Sequence, residues 1–105
     1  MDGVSLGVSG LNVSTQSIAL SSNNVANANT DGYKAKTLQQ QDLQQGGVRA
    51  AGIQESQEPS EQGRSNVDFT TEAVNLDTKG LSYQADLKFL QVQQSLLGTA
   101  LDMKA

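Results

Sequence analysis

Two sets of apolar residues in the first quarter of this chain each recur every seven residues. One is Val4, Leu11, Ile18 and Val25, with Val8 on the same face; the other is Leu6, Val13 and Leu20. At about 100° per residue the two sets fall on opposite sides of a single helix. The spacing therefore predicts a helix from Val4 to Ala26 with two narrow apolar stripes separated by Ser, Thr, Asn and Gln. A helix in a two-helix hairpin needs one stripe for its mate. The other stripe is then left exposed in a monomer, and contiguous exposed apolar surface marks an interface. Serine lowers helix propensity, so this segment is marginal on its own in water.

The same double pattern returns near the other end. Asp68 is placed to cap a helix running to about Met103, with Glu72 favourably sited in its first turns. One face carries Tyr83, Leu87, Leu90, Leu97 and Leu101; the other carries Leu81, Ala85, Phe89, Val92, Leu96, Ala100 and Met103. Gly80 and Gly98 weaken this helix. The longer stripe, Val4, Leu11, Ile18 and Val25, is assigned to the intramolecular seam, against Leu87, Leu90, Leu97 and Leu101. Leu6, Val13 and Leu20, together with Phe89, Val92, Leu96 and Met103, are then expected to face neighbouring molecules. Periodicity alone leaves a homodimeric bundle or a small three- or four-helix core open beside a polymer.

Composition agrees with a chain that completes its burial against partners. Of 105 residues 36% are hydrophobic and 4% aromatic, which is thin for a self-sufficient core. The net charge of −4 and the absence of a basic stripe argue against nucleic acid and, weakly, against anionic membrane surfaces. There is no cysteine, hence no disulfide framework or thiolate metal site. The start, Met1-Asp2-Gly3-Val4-Ser5, lacks the charged and apolar regions of a secretory signal, and no stretch approaches a membrane span. If the protein leaves the cytoplasm, it is expected to do so without a cleaved signal peptide. Between the helices, Thr37 to Gln45 is glutamine-rich, Val48 to Ile53 reads as a short strand, and Gln54 to Arg64 reads as a polar loop around Pro59. The expected fold is mainly α: N- and C-terminal helices paired as a coiled-coil hairpin, with a short β-hairpin or irregular middle. Residues 1–34, 35–64 and 65–105 are expected to form the three parts of one core domain.

Chemical motifs are sparse. Asn27-x-Asn29-x-Asp31-Gly32 copies the opening of a calcium-binding loop, but Leu38 stands where the bidentate Glu is required, so a structural turn is the better reading. Without His or Cys the common nucleophilic triads are unavailable. Glu55, Glu58 and Glu61 read as a solvated acidic loop, and Gly46-Gly47 lacks a phosphate-loop continuation. Tyr33, just past the turn, is expected to pack against the helix it leaves rather than stack on a ligand. No catalytic, cofactor or metal residue is assigned, and no enzyme is expected.

The turn itself is distinctive. Asn23-Asn24-Val25-Ala26-Asn27-Ala28-Asn29-Thr30-Asp31-Gly32-Tyr33-Lys34 gathers four asparagines, then an Asp-Gly step in which Gly32 supplies positive φ. The run resembles the "NNIANANTxGYK" signature of flagellar rod and hook proteins, with Asn24, Asn27, Asn29, Thr30, Gly32 and Tyr33 at its signature positions. Ser65-Asn66-Val67-Asp68 followed by Glu72-Ala73-Val74-Asn75-Leu76 is similar to their "SNVD…ExVNL" phrase. Ser82 to Leu90 resembles "xYQANLKVL", and Leu96 to Lys104 resembles "MLGTLLDIK". The departures are a very short middle, favouring a proximal-rod-like member, and Asp77-Thr78-Lys79-Gly80-Leu81, where Gly80 leaves the continuity of the helix open.

The resemblance implies a structural subunit of the bacterial flagellar rod, polymerising through its terminal helices into the axial tube of the basal body. Its implied partners are copies of itself, other rod subunits and the flagellar type III export apparatus; no nucleic acid or small-molecule substrate is implied. The implied location is the periplasm-spanning rod of the flagellum basal body. A cytoplasmic helical adaptor that binds a partner helix is the alternative.

Overall fold

A computed structural model describes residues 2–60 and 62–104. Asp2 starts helix α1, Gly3–Ala26: its carboxylate accepts the Ser5 amide at 2.7 Å. That bond holds the Asp2 carboxyl below its ordinary range. At the far end the Asn27 amide turns back to Asn23 O at 3.0 Å, and Gly32 makes the exit with φ +75°. Among the described residues only glycines have positive φ, so the signature asparagines shape the turn through hydrogen bonds rather than left-handed backbone.

Strands β1, Lys36–Asp42, and β2, Val48–Glu55, pair antiparallel, with Lys36 opposite Glu55 and Asp42 opposite Val48. A bulge follows Gln39. The glutamine-rich run is thus β1, and its amides act outward across the ladder. Gln39 Nε2 donates to Gln54 Oε1 at 2.6 Å, and Arg49 Nε and one terminal guanidinium N–H donate to Gln41 Oε1. The middle segment is a β-hairpin.

Helix α2, Phe69–Lys104, runs unbroken through Gly80 and Gly98. Asp68 caps it, accepting the Thr70 and Thr71 amides at 2.9 and 3.3 Å. The two helices lie antiparallel. Asn24 meets Glu72, Gly10 abuts Asp86, Gly7 abuts Leu90 and Gly3 abuts Gln93. The hairpin packs on α1, and the molecule is a slab of 68 × 24 × 14 Å. The chain is mainly helical. Among the described residues only two apolar side chains are fully buried, Val13 and Ala28, in keeping with the thin hydrophobic composition.

The predicted seam is not the one that forms. On α1 the residues facing α2 are Gly3, Gly7, Gly10, Ser14, Ser17, Ser21 and Asn24, spaced alternately four and three apart. That is the spacing of a coiled-coil seam, built from small residues. Val4, Leu11, Ile18 and Val25 form one rail beside this groove; Leu6, Val13 and Leu20 form the other. The first rail is half-buried or exposed rather than central. The second, expected to need a neighbouring molecule, is covered by the chain's own hairpin. Val13 is 4% exposed, Leu6 approaches Gly46, and Leu20 shares a cleft with Leu38. On α2 the residues towards α1 are Glu72, Asn75, Lys79, Ser82, Asp86, Leu90 and Gln93. Of the leucines assigned to the seam only Leu90 reaches it. Leu97 and Leu101 lie beyond the start of α1.

Candidate functional site

Two features stand out: a hydrogen-bonded node at the turn end and, among the described residues, an unpaired stretch of α2 at the other. The node centres on Asn24, which is fully buried. Its amide donates to Lys36 O at 2.8 Å and to the two Glu72 carboxylate oxygens at 3.0 and 3.1 Å. Its carbonyl oxygen accepts the Tyr33 hydroxyl and the Lys36 amide, both at 3.0 Å. Asn24 thereby imitates a strand neighbour for Lys36 and begins β1. It also ties α1 to α2 and seats the exit tyrosine. Glu72, 5% exposed, is a helix-start acid in sequence but a buried acceptor in the fold. Lys36 Nζ stands 5.8 Å from the centre of the Tyr33 ring, whose hydroxyl reaches back to Asn24 of the helix it leaves.

The two signature phrases bond to one another. The Ser65 hydroxyl and amide both donate to Ala28 O, at 2.7 and 3.2 Å. Asn66 Oδ1 accepts the Ala35 amide, its side-chain amide donates to Glu58 O, and its backbone amide donates to Tyr33 O. Gly32 N donates to Arg64 O at 3.1 Å. Within the first phrase, Asn27 Nδ2 donates to Asn23 O and Thr30 Oγ1 donates to Asn27 Oδ1. Asn27 is therefore engaged in its own turn. Asn29 and Asp31 are exposed, and among the described residues no group of His, Cys, Asp or Glu could hold a metal ion. Glu55 and Glu58 lie exposed at the surface, while Glu61 lies outside the described residues.

Reasoning from sequence overlooked Ser65, Asn66, Glu72 and Lys36 as partners of the turn, because a single chain does not reveal which distant polar residues meet. It also overlooked the Gly/Ser seam, although the four-three spacing of Gly3, Gly7, Gly10, Ser14, Ser17 and Ser21 was visible. A search for bulky periodicity passes over it.

At the opposite end, α1 begins at Gly3, beside Gln93, and, among the described residues, residues 94–104 of α2 run on past it. Leu96, Leu97 and Leu101 are each 60% exposed, with Val92 and Met103 also exposed. Tyr83, Leu87 and Phe89 are partly open along the shared length. The chain bears no charge from Gly3 to Ala26 and none from Phe89 to Leu101.

Residues 6–34, which comprise most of α1 and the exit turn, match the family described as flagella basal body rod protein. That match supports a rod-family member. The matched segment contains Asn24 and the whole turn it organises. No curated protein matches the chain. The rod family is a structural component of the flagellum rather than an enzyme family, and it implies assembly with other rod components at the basal body. No described helix is long and apolar enough to cross a membrane.

Proposed function

We propose that this chain is a structural subunit of the bacterial flagellar rod that polymerises through its terminal helices into the axial tube of the basal body. The observation carrying this reading is the free stretch of α2, residues 94–104. It is about 16 Å of helix with apolar residues around its circumference and no charge before Asp102. Such a surface is costly in water and fits the uncharged outer rail of a neighbour's α1: Val4, Leu11, Ile18 and Val25. A contact between different surfaces of successive copies does not close as a two-fold pair, and where its rotation closes no ring it continues as the open helical assembly a tube requires. The copies reach the rod through the flagellar type III export apparatus.

Leu96→Glu tests this reading, because it places a charge in the proposed contact at a 60% exposed position beyond the start of α1. The variant is expected to fold, to be exported, and to leave cells non-motile with truncated rods. Normal motility with intact rods would refute the assignment. Recovery of the native protein only in the cytoplasm, with basal bodies intact in a deletion strain, would favour the adaptor.

A further inference from the structure

We infer that the buried Asn24–Glu72 contact is a register lock that holds the C-terminal stretch of α2 off α1. The α1 seam is a nearly uniform row of glycine and serine, so its shape gives α2 little reason to prefer one heptad register over the next. Among the described residues, Asn24 with Glu72 is the only side-chain hydrogen bond joining the two helices. It is also the most deeply buried point of the seam. A single buried polar contact in an otherwise permissive seam is the best-attested way to fix helix register.

The alternative register is identifiable. Sliding α2 by one heptad, about 10 Å, would bring Lys79 opposite Asn24, Asp86 opposite Ser17, Leu96 opposite Gly7 and Ala100 opposite Gly3. Phe89 would face Ser14. The part of the protruding stretch up to Ala100, with Leu96 and Leu97, would lie along α1, so burial of leucine favours the slipped state. The observed register instead leaves Leu96, Leu97 and Leu101 in water and satisfies Asn24 and Glu72. The slide leaves the Ser65 and Asn66 ties to the turn intact. It unwinds only the opening of α2, where Thr70, Thr71 and Val74 are β-branched and hold a helix weakly. The lock thus couples completion of the node to presentation of the free stretch. An unlocked chain covers that surface with its own α1. That this surface is a subunit contact rests on the rod reading above.

Because the chain contains no native cysteine, register can be read by paired cysteines in a dilute monomer. Ser17→Cys with Lys79→Cys reports the observed register, since both line one cleft. Ser17→Cys with Asp86→Cys reports the slipped one. The native background should cross-link efficiently through the first pair only, and Glu72→Gln, which keeps an acceptor for Asn24, should do the same. In the Glu72→Leu background the preference should reverse by at least about tenfold, and amide exchange at Leu96 and Leu97 should slow. Retention of the first cross-link by Glu72→Leu would overturn the lock. Loss of helix with neither cross-link would overturn it too, by showing that the contact is needed for folding as such. If the register reverses as expected while Leu96→Glu assembles normally in cells, the lock stands and the rod-contact reading fails.

Discussion

Asn24 does at one position what the exit turn requires of several residues. It supplies two donors to Lys36 O and Glu72, and accepts from Tyr33 and Lys36. Asn24→Ala would leave the Glu72 carboxylate and the Lys36 amide without this partner in a buried setting. Each loss costs about 1–3 kcal/mol, more for the charged group, so destabilisation of at least about 3 kcal/mol is expected in urea melts. A second prediction concerns acid. The Ser5 amide depresses the Asp2 carboxyl below its ordinary value of 3.8. The contribution to α1 is therefore fully present above pH 3.8 and lost as pH falls through the lower folded value. Exchange of the Ser5 and Leu6 amides should quicken over that acid window, and Asp2→Asn should flatten the dependence. In the sequence Asn24 was recognisable as part of a signature. Its partners were not, because hydrogen bonds across 12 and 48 residues leave no local mark.

Among the elements, the helices and their ends were legible, since Asp68 and the apolar periods speak directly to them. The hairpin was legible only as a possibility, because β1 is rich in residues that pair through side-chain amides instead of an alternating apolar face. Orientation of the helices was misread for a physical reason: large residues advertise a seam, whereas close approach is achieved by small ones. Glycines in the two helices accordingly differ in role. A Cβ on Gly7 would lie 2.7 Å from Leu90 Cδ2 and 2.8 Å from its Cγ, while one on Gly80 would meet nothing within 4 Å. Gly80→Ala should thus stabilise the protein by about 1 kcal/mol through helix propensity alone. Gly7→Val should destabilise it by about 1–3 kcal/mol by forcing the helices apart. Thermal melts of the two variants should move in opposite directions, and equal shifts would discredit the close-packed seam.

At the scale of the molecule, the slab has one well-tied end and one open end. Hydrogen bonds between the two signatures gather at the turn, whereas α2 outruns α1 at the other end and has no neighbour there among the described residues. Local stability should follow that gradient, since protection tracks burial and tertiary contact. In a dilute monomer the amides near Asn24 and Glu72 should exchange slowest, and those from Leu96 to Met103 should exchange close to the free-peptide rate. The same geometry sets the effect of leucine truncations along α2. Leu97 lies beyond α1 and is 60% exposed, so Leu97→Ala should change hairpin stability by no more than about 0.5 kcal/mol. Leu90→Ala, at the Gly7 contact, should cost more because it opens the seam itself. A urea series on the monomer distinguishes the two positions. If Leu97→Ala cost several kcal/mol, α2 would have to be packed along its whole length, and the open end described here could not be its resting arrangement.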